Sequence, residues 1–393
     1  MLLTGLPFLQ GQSLDPHYAP IGNSAFQTGV WSSGHLFLPP WLAGDTLSGE
    51  GFAYPADSAS ATALMAGLWI GGLDASGQLH LSVQDHHVVQ GTGRDFWPGP
   101  LTAGTAATDS ATMALYNQHW RLTRSELDAF LTDFADNGII DSPQLYPQVM
   151  GWPAFGPDAS GQVVALAPFV DMDGDPGSYD PMAGDHPRMW GSEMLWGISN
   201  DTGGGGARHT AAPALGLEVQ QTLFVMECDT SPLSQALFVR YELINRSNQT
   251  LQDVRIGMWT DPDIGQATND FVGVDTSRSL MYAYNGTPSD PVYGQALPAM
   301  GVGLLQGPLA PAGDGLDNDR DGQVDETGER YHLTHFVGHL NDFSTYLGNP
   351  LSPDAYYAYL HGNDLTGSPL VDNYSNGGAG TGLSSDGPGP SLP

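Results

Sequence analysis

Three aspartates at alternate positions have the spacing of a calcium-binding loop. Asp317, Asp319 and Asp321 occupy the first, third and fifth positions of this pattern, and Gly322 follows at the sixth. Ca²⁺ binds about six to eight oxygen ligands, and this spacing lets a tightly turning backbone converge three carboxylates. The glycine permits the sharp bend because it lacks a Cβ atom. The sequence therefore predicts a calcium site in this loop.

The ligands that would complete this site differ from those of a helix–loop–helix calcium site. The twelfth position is Gly328 and not a glutamate. We expect Gln323 to contribute its main-chain carbonyl, and Asp325 or Glu326 to complete the coordination. The pattern favours a loop between strands over an EF-hand. The alternative is a solvated acidic turn without an ion, in which the carboxylates would repel one another unopposed.

A second acidic segment repeats the alternate spacing. Asp171, Asp173 and Asp175 again stand at every second position, and Asp180 or Asp185 is available to complete a coordination sphere. The same argument predicts a second calcium site here. Its alternative is a turn in which the aspartate side chains bond to their own backbone.

Two further acidic segments have looser spacing. Residues 133–141 have an alanine at the third position of the pattern, and residues 259–275 carry widely spaced aspartates, namely Asp261, Asp263, Asp270 and Asp275. For both segments an Asx-turn competes with a bound ion. Taken with the first two segments, they indicate loops that become ordered when a cation binds.

Other residues that could do chemistry give weaker patterns. His332, His335 and His339 have a spacing that binds zinc on a helix, but Gly338 and its β-branched neighbours favour a strand, which would bring only two of the three together. The sequence contains no nucleophile elbow, phosphate-binding loop or dinucleotide fingerprint. Paired carboxylates of a glycoside hydrolase stay open as an alternative, because their separation is a property of the fold.

The charge balance argues against binding to nucleic acids and to anionic membrane surfaces. The chain of 393 residues has 43 acidic residues against 11 basic ones, all of them arginine, and a formal net charge of −32. Such a surface repels phosphate backbones and anionic lipids, so we expect no nucleic-acid partner. No run of apolar residues is long enough to predict a transmembrane segment. Cations are the expected small partners.

Alternating apolar and polar residues predict the elements that carry these loops. Residues 63–84 predict a hairpin that turns at Asp74 to Gly77, and Ser125 is expected to cap a helix. Further short strands are predicted at Leu217–Met226, Ala236–Asn245, Val254–Trp259, Ser279–Asn285 and Met300–Leu305. The expected fold class is all-β, mainly an antiparallel β-sandwich of Ig-like or jelly-roll type, with long calcium-braced loops and one or two short helices.

The same patterns suggest an organisation in four parts. Residues 1–20 are expected to be a signal remnant or a disordered N-terminus, and residues 366–393 a Gly/Ser/Pro-rich tail. Between them we expect an N-terminal β-rich region with long loops, 21–210, and a β-sandwich region with the acidic calcium loop, 211–365.

Several segments together resemble a family of exported proteins. They include LWIGGLDASGQLHLSVQ, WRLTRSELDAF, APFVDMDGDPGSYDPMAGDHP, MWTDPDIGQATNDFVGVDTSRSLMYAYN and DGLDNDRDGQVDE. In this order they resemble the large N-terminal region of secreted and cell-surface proteins of Bacteroidetes-type bacteria, many of which carry a C-terminal type IX secretion sorting domain. The resemblance covers about residues 60–375. It implies export and display on, or release from, the cell surface, and it assigns no activity.

The expected function is therefore that of a non-enzymatic extracellular or cell-surface structural or adhesive protein that calcium stabilises. Its expected partners are other copies of itself, other extracellular proteins and glycans. Trp31, Trp41, Trp97 and Trp152 lie in Gly/Pro-rich segments and would suit sugar stacking if they are exposed. The alternative function is a secreted polysaccharide hydrolase that uses paired carboxylates.

Overall fold

Antiparallel strands make up most of the regular structure. The computed structural model describes residues 15–39, 51–58, 60–86, 93–203, 208–228, 231–266, 268–341 and 344–370. Residues 18–20 of the expected N-terminal remnant belong to a strand. Residues 1–14, Trp41 and most of the expected tail lie outside the described residues.

The strands of the described part follow one another along almost the whole chain. They are β1 (Tyr18–Gly22), β2 (Gln27–Trp31), β3 (Phe52–Ala53), β4 (Ala61–Leu73), β5 (Leu79–Val83), β6 (Trp97–Pro98), β7 (Trp120–Thr123), β8 (Phe155–Pro157), β9 (Val163–Ala165), β10 (Phe169–Val170), β11 (His186–Pro187), β12 (Glu193–Asn200), β13 (Leu217–Val225), β14 (Leu237–Asn245), β15 (Gln252–Pro262), β16 (Asp270–Asp275), β17 (Leu280–Asn285) and β18 (Ala299–Gly303). Helices are short, and they are α1 (Ser110–Leu115), α2 (Arg124–Asn137), α3 (Pro147–Met150) and α4 (Pro353–Leu360). The expected all-β class with few short helices is confirmed.

Two antiparallel sheets form a sandwich. Sheet 1 has the order β1-β2-β3-β4-β15, with β5 beside β4, and sheet 2 has the order β14-β13-β12-β6, with β7 beside β12. Leu68 and Ile70 of β4 share one buried apolar cluster with Leu217 and Val219 of β13, so the core lies between the sheets. A smaller sheet 3 has the order β16-β17-β18.

Helices cover the outer faces of the sandwich. Alternate residues of β12 point outward, and Trp196 there packs with Phe130 of α2 and Val149 of α3. On the other side, Trp69 of β4 packs edge-on against Tyr356 of α4, with 4.8 Å between ring centroids. Both faces of the central strands are thus removed from water, which explains their nearly continuous apolar sequence.

The predicted boundary at residue 210 does not separate two sheets. β15 pairs with β4 over nearly its whole length, and β13 pairs with β12. Each sheet therefore combines strands from the two β-rich regions expected at 21–210 and 211–365.

The predicted hairpin between β4 and β5 forms as expected. The Asp74 carboxylate accepts hydrogen bonds from the backbone N–H groups of Ser76 (2.8 Å) and Gln78 (2.9 Å), and Gly77 adopts a φ of 83°. Its hydrogen bond from the Ser76 hydroxyl is the largest influence that lowers the pKa of Asp74 to about 2. An ionised side chain fixes this turn, as the sequence indicates.

The predicted helix exists, but Ser125 does not cap it. The N-cap of α2 is Thr123, whose side chain accepts from the backbone of Glu126, while the Glu126 side chain accepts from the backbone of Thr123 (2.8 Å). Because of this reciprocal capping box, the N-cap lies two residues before Ser125, the N-cap that the sequence predicts. Gly138, with a φ of 77°, ends the helix.

Candidate metal centre

The acidic loop, residues 310–330, lies between sheet 3 and the segment that leads to α4. Its two ends are held together by an antiparallel bridge between Leu309 and Arg330. The N–H of Ala310 donates to the carbonyl of Glu329 at 2.9 Å, and the N–H of Tyr331 donates to the carbonyl of Pro308 at 3.0 Å. These bonds close the base of the loop and fix where its carboxylates lie.

The three aspartates at alternate positions converge as the sequence predicts. Carboxylate oxygens of Asp317, Asp319 and Asp321 lie within 4.8 Å of one another. Asp317 also accepts from the backbone N–H groups of Asp321 (3.2 Å) and Gly322 (3.0 Å). Gly322 has a φ of 95°, the left-handed conformation that its position in the pattern anticipates. An all-oxygen group of this kind suits a hard cation such as Ca²⁺.

The three residues expected to complete this group, Gln323, Asp325 and Glu326, have different contacts in the structure. Gln323 donates from its backbone N–H (2.8 Å) and its side-chain amide (2.9 Å) to the carboxylate of Asp321. Asp325 accepts from the N–H of Gly315 with both oxygens, at 3.2 and 3.1 Å, and belongs to neither carboxylate group of the loop. Glu326 instead joins a second group.

The second carboxylate group contains a residue that the sequence reasoning missed. Oxygens of Asp319, Glu326 and Glu329 lie within 4.8 Å of one another. Glu329 is only 5% exposed, and its Oε1 accepts from the backbone N–H of Asn318. Its Oε2 is buried and has no hydrogen-bond partner among the described residues, and the same is true of Glu326 Oε2.

The electrostatics of the acidic loop are unbalanced. Within the described residues, no ion pair of the structure involves the five carboxylates of the two groups. A backbone hydrogen bond acts to lower the pKa of Glu326, but burial and the neighbouring carboxylates, chiefly Glu329 and Asp319, outweigh it and raise the pKa. The neutral form or a bound cation relieves this repulsion.

The second predicted calcium segment forms a smaller group. Oxygens of Asp171, Asp173 and Asp185 lie within 4.8 Å of one another. Asp185 is fully buried and accepts from the N–H of Met172 (2.8 Å) and of Asp180 (2.9 Å). Of the two residues available to complete this group, the fold thus brings in Asp185.

Asp175 does not join this group, contrary to the spacing argument. Its carboxylate accepts from the N–H of Gly177 at 3.2 Å and from the hydroxyl of Ser178 at 3.1 Å. The backbone turns at Gly174, which has a φ of 84°. Strict alternation ends at this turn, so the third aspartate forms a local Asx-turn.

Replacing one aspartate tests this smaller group. We expect Asp173→Ala to release one equivalent of calcium from the full chain, because its removal leaves only two carboxylates in the group. The measurement is calorimetric titration with elemental analysis. Asp175→Ala is the matched control and should leave the stoichiometry unchanged. If the Asp173 variant binds as many calcium ions per chain as the wild type, the group is a turn that binds no ion.

The two loosely spaced segments behave differently. Exposed or half-buried oxygens of Asp133, Asp136 and Asp141 lie within 4.8 Å of one another. In the other segment no such group forms within the described residues. There, burial raises the pKa of Asp261 to about 6, aided by the charge of Asp263, and burial likewise raises the pKa of Asp270 to about 6.

The three histidines whose spacing could bind zinc on a helix do not form a metal group within the described part of the chain. His339 stacks against Tyr359, with 5.5 Å between ring centroids, and its Nε2 accepts from the indole N–H of Trp259 at 3.0 Å. Burial is the main cause that lowers the pKa of His339. The neutral ring therefore packs as part of the core beneath α4.

The tryptophans proposed as sugar platforms are buried where they are described. Trp31, Trp97 and Trp152 all belong to the interior. The indole N–H of Trp31 donates to the carbonyl of Leu38 at 2.8 Å, and that of Trp152 to Pro168 at 3.1 Å. Gly/Pro-rich sequence around them suggested exposure, but long-range packing covers them.

A buried polar cluster links α4 to sheet 1. The hydroxyl of Tyr356 donates to Asp85 at 2.8 Å, and His209 Nε2 lies 2.9 Å from the same hydroxyl. Asp85 is 4% exposed. These groups hold α4 in place beneath the surface.

A shallow cavity of about 180 Å³ lies elsewhere, at Ala106 and Ser247, among small polar and aliphatic residues. No carboxylate or tryptophan lines it.

Comparison with protein-family models, with curated proteins and with solved structures finds no match for this chain. Among the helices of the described part, none combines the length and apolar character needed to cross a bilayer. The geometry of the acidic groups therefore carries the functional argument.

Proposed function

We propose that this protein is a non-enzymatic extracellular or cell-surface structural or adhesive protein that binds calcium. One observation carries the proposal: within the described residues, five carboxylates converge in one loop without a paired cation, and one of them, Glu329, is buried with an oxygen that has no hydrogen-bond partner there. A buried carboxylate oxygen costs free energy unless it is bonded or neutralised. A divalent cation supplies what this loop lacks.

Calcium also suits a contact function. The acidic loop contains no regular helix or strand, so an ion would stiffen it in place of a core. A stiff loop presents a contact surface with less loss of conformational entropy on binding. The net charge of −32 keeps free copies apart, and divalent cations screen or bridge such surfaces.

The resemblance to exported surface proteins supports the proposed location. It adds no activity, and the family implied by that resemblance is compatible with an assembly or adhesion role. Partners in this proposal are other copies of the chain, extracellular proteins or glycans. A secreted polysaccharide hydrolase is the outcome that would replace it.

Light scattering of the full chain across a calcium titration tests the proposal. We expect the mean particle mass to rise in the millimolar calcium range and to fall again with chelator, because calcium removes the mutual repulsion. Sodium chloride at matched ionic strength is the control for screening alone. The same preparation is assayed against polysaccharides and for glycan binding on an array.

Two results would overturn the proposal. One is monodisperse monomer at every calcium concentration without binding to any glycan or matrix protein. The other is saturable hydrolysis of a polysaccharide that one Asp or Glu substitution abolishes, since that would assign catalysis to a carboxylate pair.

A further inference from the structure

Asp319 lies in both carboxylate groups of the acidic loop. In one group an oxygen of Asp319 lies within 4.8 Å of one oxygen each of Asp317 and Asp321, and in the other an oxygen of Asp319 lies within 4.8 Å of one oxygen each of Glu326 and Glu329. A carboxylate has two oxygens and can therefore serve two ions at once. The alternate spacing alone predicts one ion, so this shared position is a property of the fold.

Glu329 provides an observation that is independent of the acidic cluster. It is 5% exposed, its Oε1 is used by the N–H of Asn318, and its Oε2 has no partner in the described part of the chain. The Oε2 atom of Glu326 is likewise buried without a partner. Two buried carboxylate oxygens without protein partners in one group are stabilised by a proton or a cation held between them.

Charge distinguishes one ion from two. The two groups together contain five carboxylates, so one dication leaves three negative charges and a second leaves one. Neither Arg320 nor Arg330 forms an ion pair with these carboxylates among the described residues, and Nη1 of Arg330 donates instead to the carbonyl of Gly307 at 2.9 Å. A single ion among Asp317, Asp319 and Asp321 would leave Glu326 and Glu329 facing each other unneutralised.

We propose that the acidic loop binds two calcium ions that share Asp319, one completed by Asp317 and Asp321 and the other by Glu326 and Glu329. All the ligand atoms are oxygens, which favours a hard cation over zinc or copper. The second ion fastens residue 319 to residue 329, and residue 329 is bonded through its backbone to Ala310 at the base of the loop. The second site rests on the proposed function only in that calcium is the ion.

The test compares calcium stoichiometry among variants of the full chain. The protein is stripped with EGTA, dialysed and titrated with calcium by calorimetry, and bound metal is counted by elemental analysis. Glu329→Gln keeps an oxygen to accept from Asn318, and we expect it to lose one equivalent relative to the wild type. Asp321→Asn should lose the other equivalent, and Asp319→Asn should lose both. Glu227→Gln, an exposed glutamate outside the loop, is the control and should lose none.

The outcomes separate this inference from the proposed function. If Asp321→Asn loses one equivalent while Glu329→Gln and Glu326→Gln lose none, the second group holds a shared proton, and the two-ion site is wrong while calcium binding stands. If none of the loop variants changes the stoichiometry, no ion binds in the loop, and the proposed function loses the observation that carries it. Near-ultraviolet circular dichroism identifies a variant that has lost its fold. Glu326→Gln then provides the same comparison through the other glutamate.

Discussion

Removing calcium with excess EGTA is expected to lower the melting temperature of the full chain by roughly 5 °C. An ion that binds only the folded state stabilises it by mass action, by about 2.7 kcal/mol at one hundred times the dissociation constant. Each kcal/mol shifts the melting temperature by about 2–4 °C for a protein of roughly 150–250 residues, and by less for a longer chain such as this one. The convergent carboxylates of Asp317, Asp319 and Asp321 are the expected source of this dependence.

The chelation experiment has an internal control. Restoring calcium should restore the melting temperature, whereas magnesium at the same concentration should restore less of it, because Mg²⁺ demands a smaller octahedral site and keeps its water. Asp321→Asn should reduce the difference between the calcium-loaded and the stripped protein. Superimposable curves with and without EGTA, together with no metal by elemental analysis, would contradict calcium binding.

Breaking the buried ion pair between Glu218 and Arg246 is expected to destabilise the protein by roughly 3–5 kcal/mol. Glu218 lies on β13 and is 0% exposed. Arg246 donates to it through Nε (3.1 Å) and Nη2 (2.8 Å), and Leu101 donates its backbone N–H at 3.0 Å. In Arg246→Leu the carboxylate stays buried without its counter-ion. Chemical denaturation measured by circular dichroism reports the loss.

A surface ion pair provides the matched control. Arg278, whose side chain is 74% exposed, pairs with Asp275, and Arg278→Leu should change stability by less than about 1 kcal/mol. Combining Arg246→Leu with Glu218→Gln should recover part of the loss, because no charge is then left buried. An Arg246→Leu variant as stable as the wild type would show that water reaches Glu218.

Sequence reasoning succeeded where the signal is local. The β4–β5 hairpin has two apolar strands joined by a turn whose Asp74 and Gly77 suit its geometry, so neighbouring residues decide it. The start of α2 differs from the prediction because two hydroxyl residues, Thr123 and Ser125, lie close together there, and Ser125 is already inside the helix. Thr123, not Ser125, stands three residues before Glu126, and that spacing decides which of them forms the capping box.

In the candidate site, too, the sequence predicts the local contacts and misses those between distant residues. The convergence of Asp317, Asp319 and Asp321 is a property of alternate spacing in a turn, so the sequence predicts it. Glu329 enters the second group only because the Leu309–Arg330 bridge closes the loop, and a pairing between distant residues leaves no periodic signal. Asp185 takes the place of Asp175 in the other group for a similar reason. The fold of residues 171–185 decides which carboxylate lies next to Asp171 and Asp173.

The pairing of β4 with β15 bears on how the chain folds. The two strands are separated by almost two hundred residues of sequence, and β4 is buried on both faces in the finished sandwich. Bringing such distant segments together costs loop-closure entropy before any contact compensates for it, which slows folding. During synthesis from the N-terminus, one long edge of β4 has no partner strand until β15, which begins at residue 252, has been made. Until then, the unpaired backbone groups of this edge can pair with another chain.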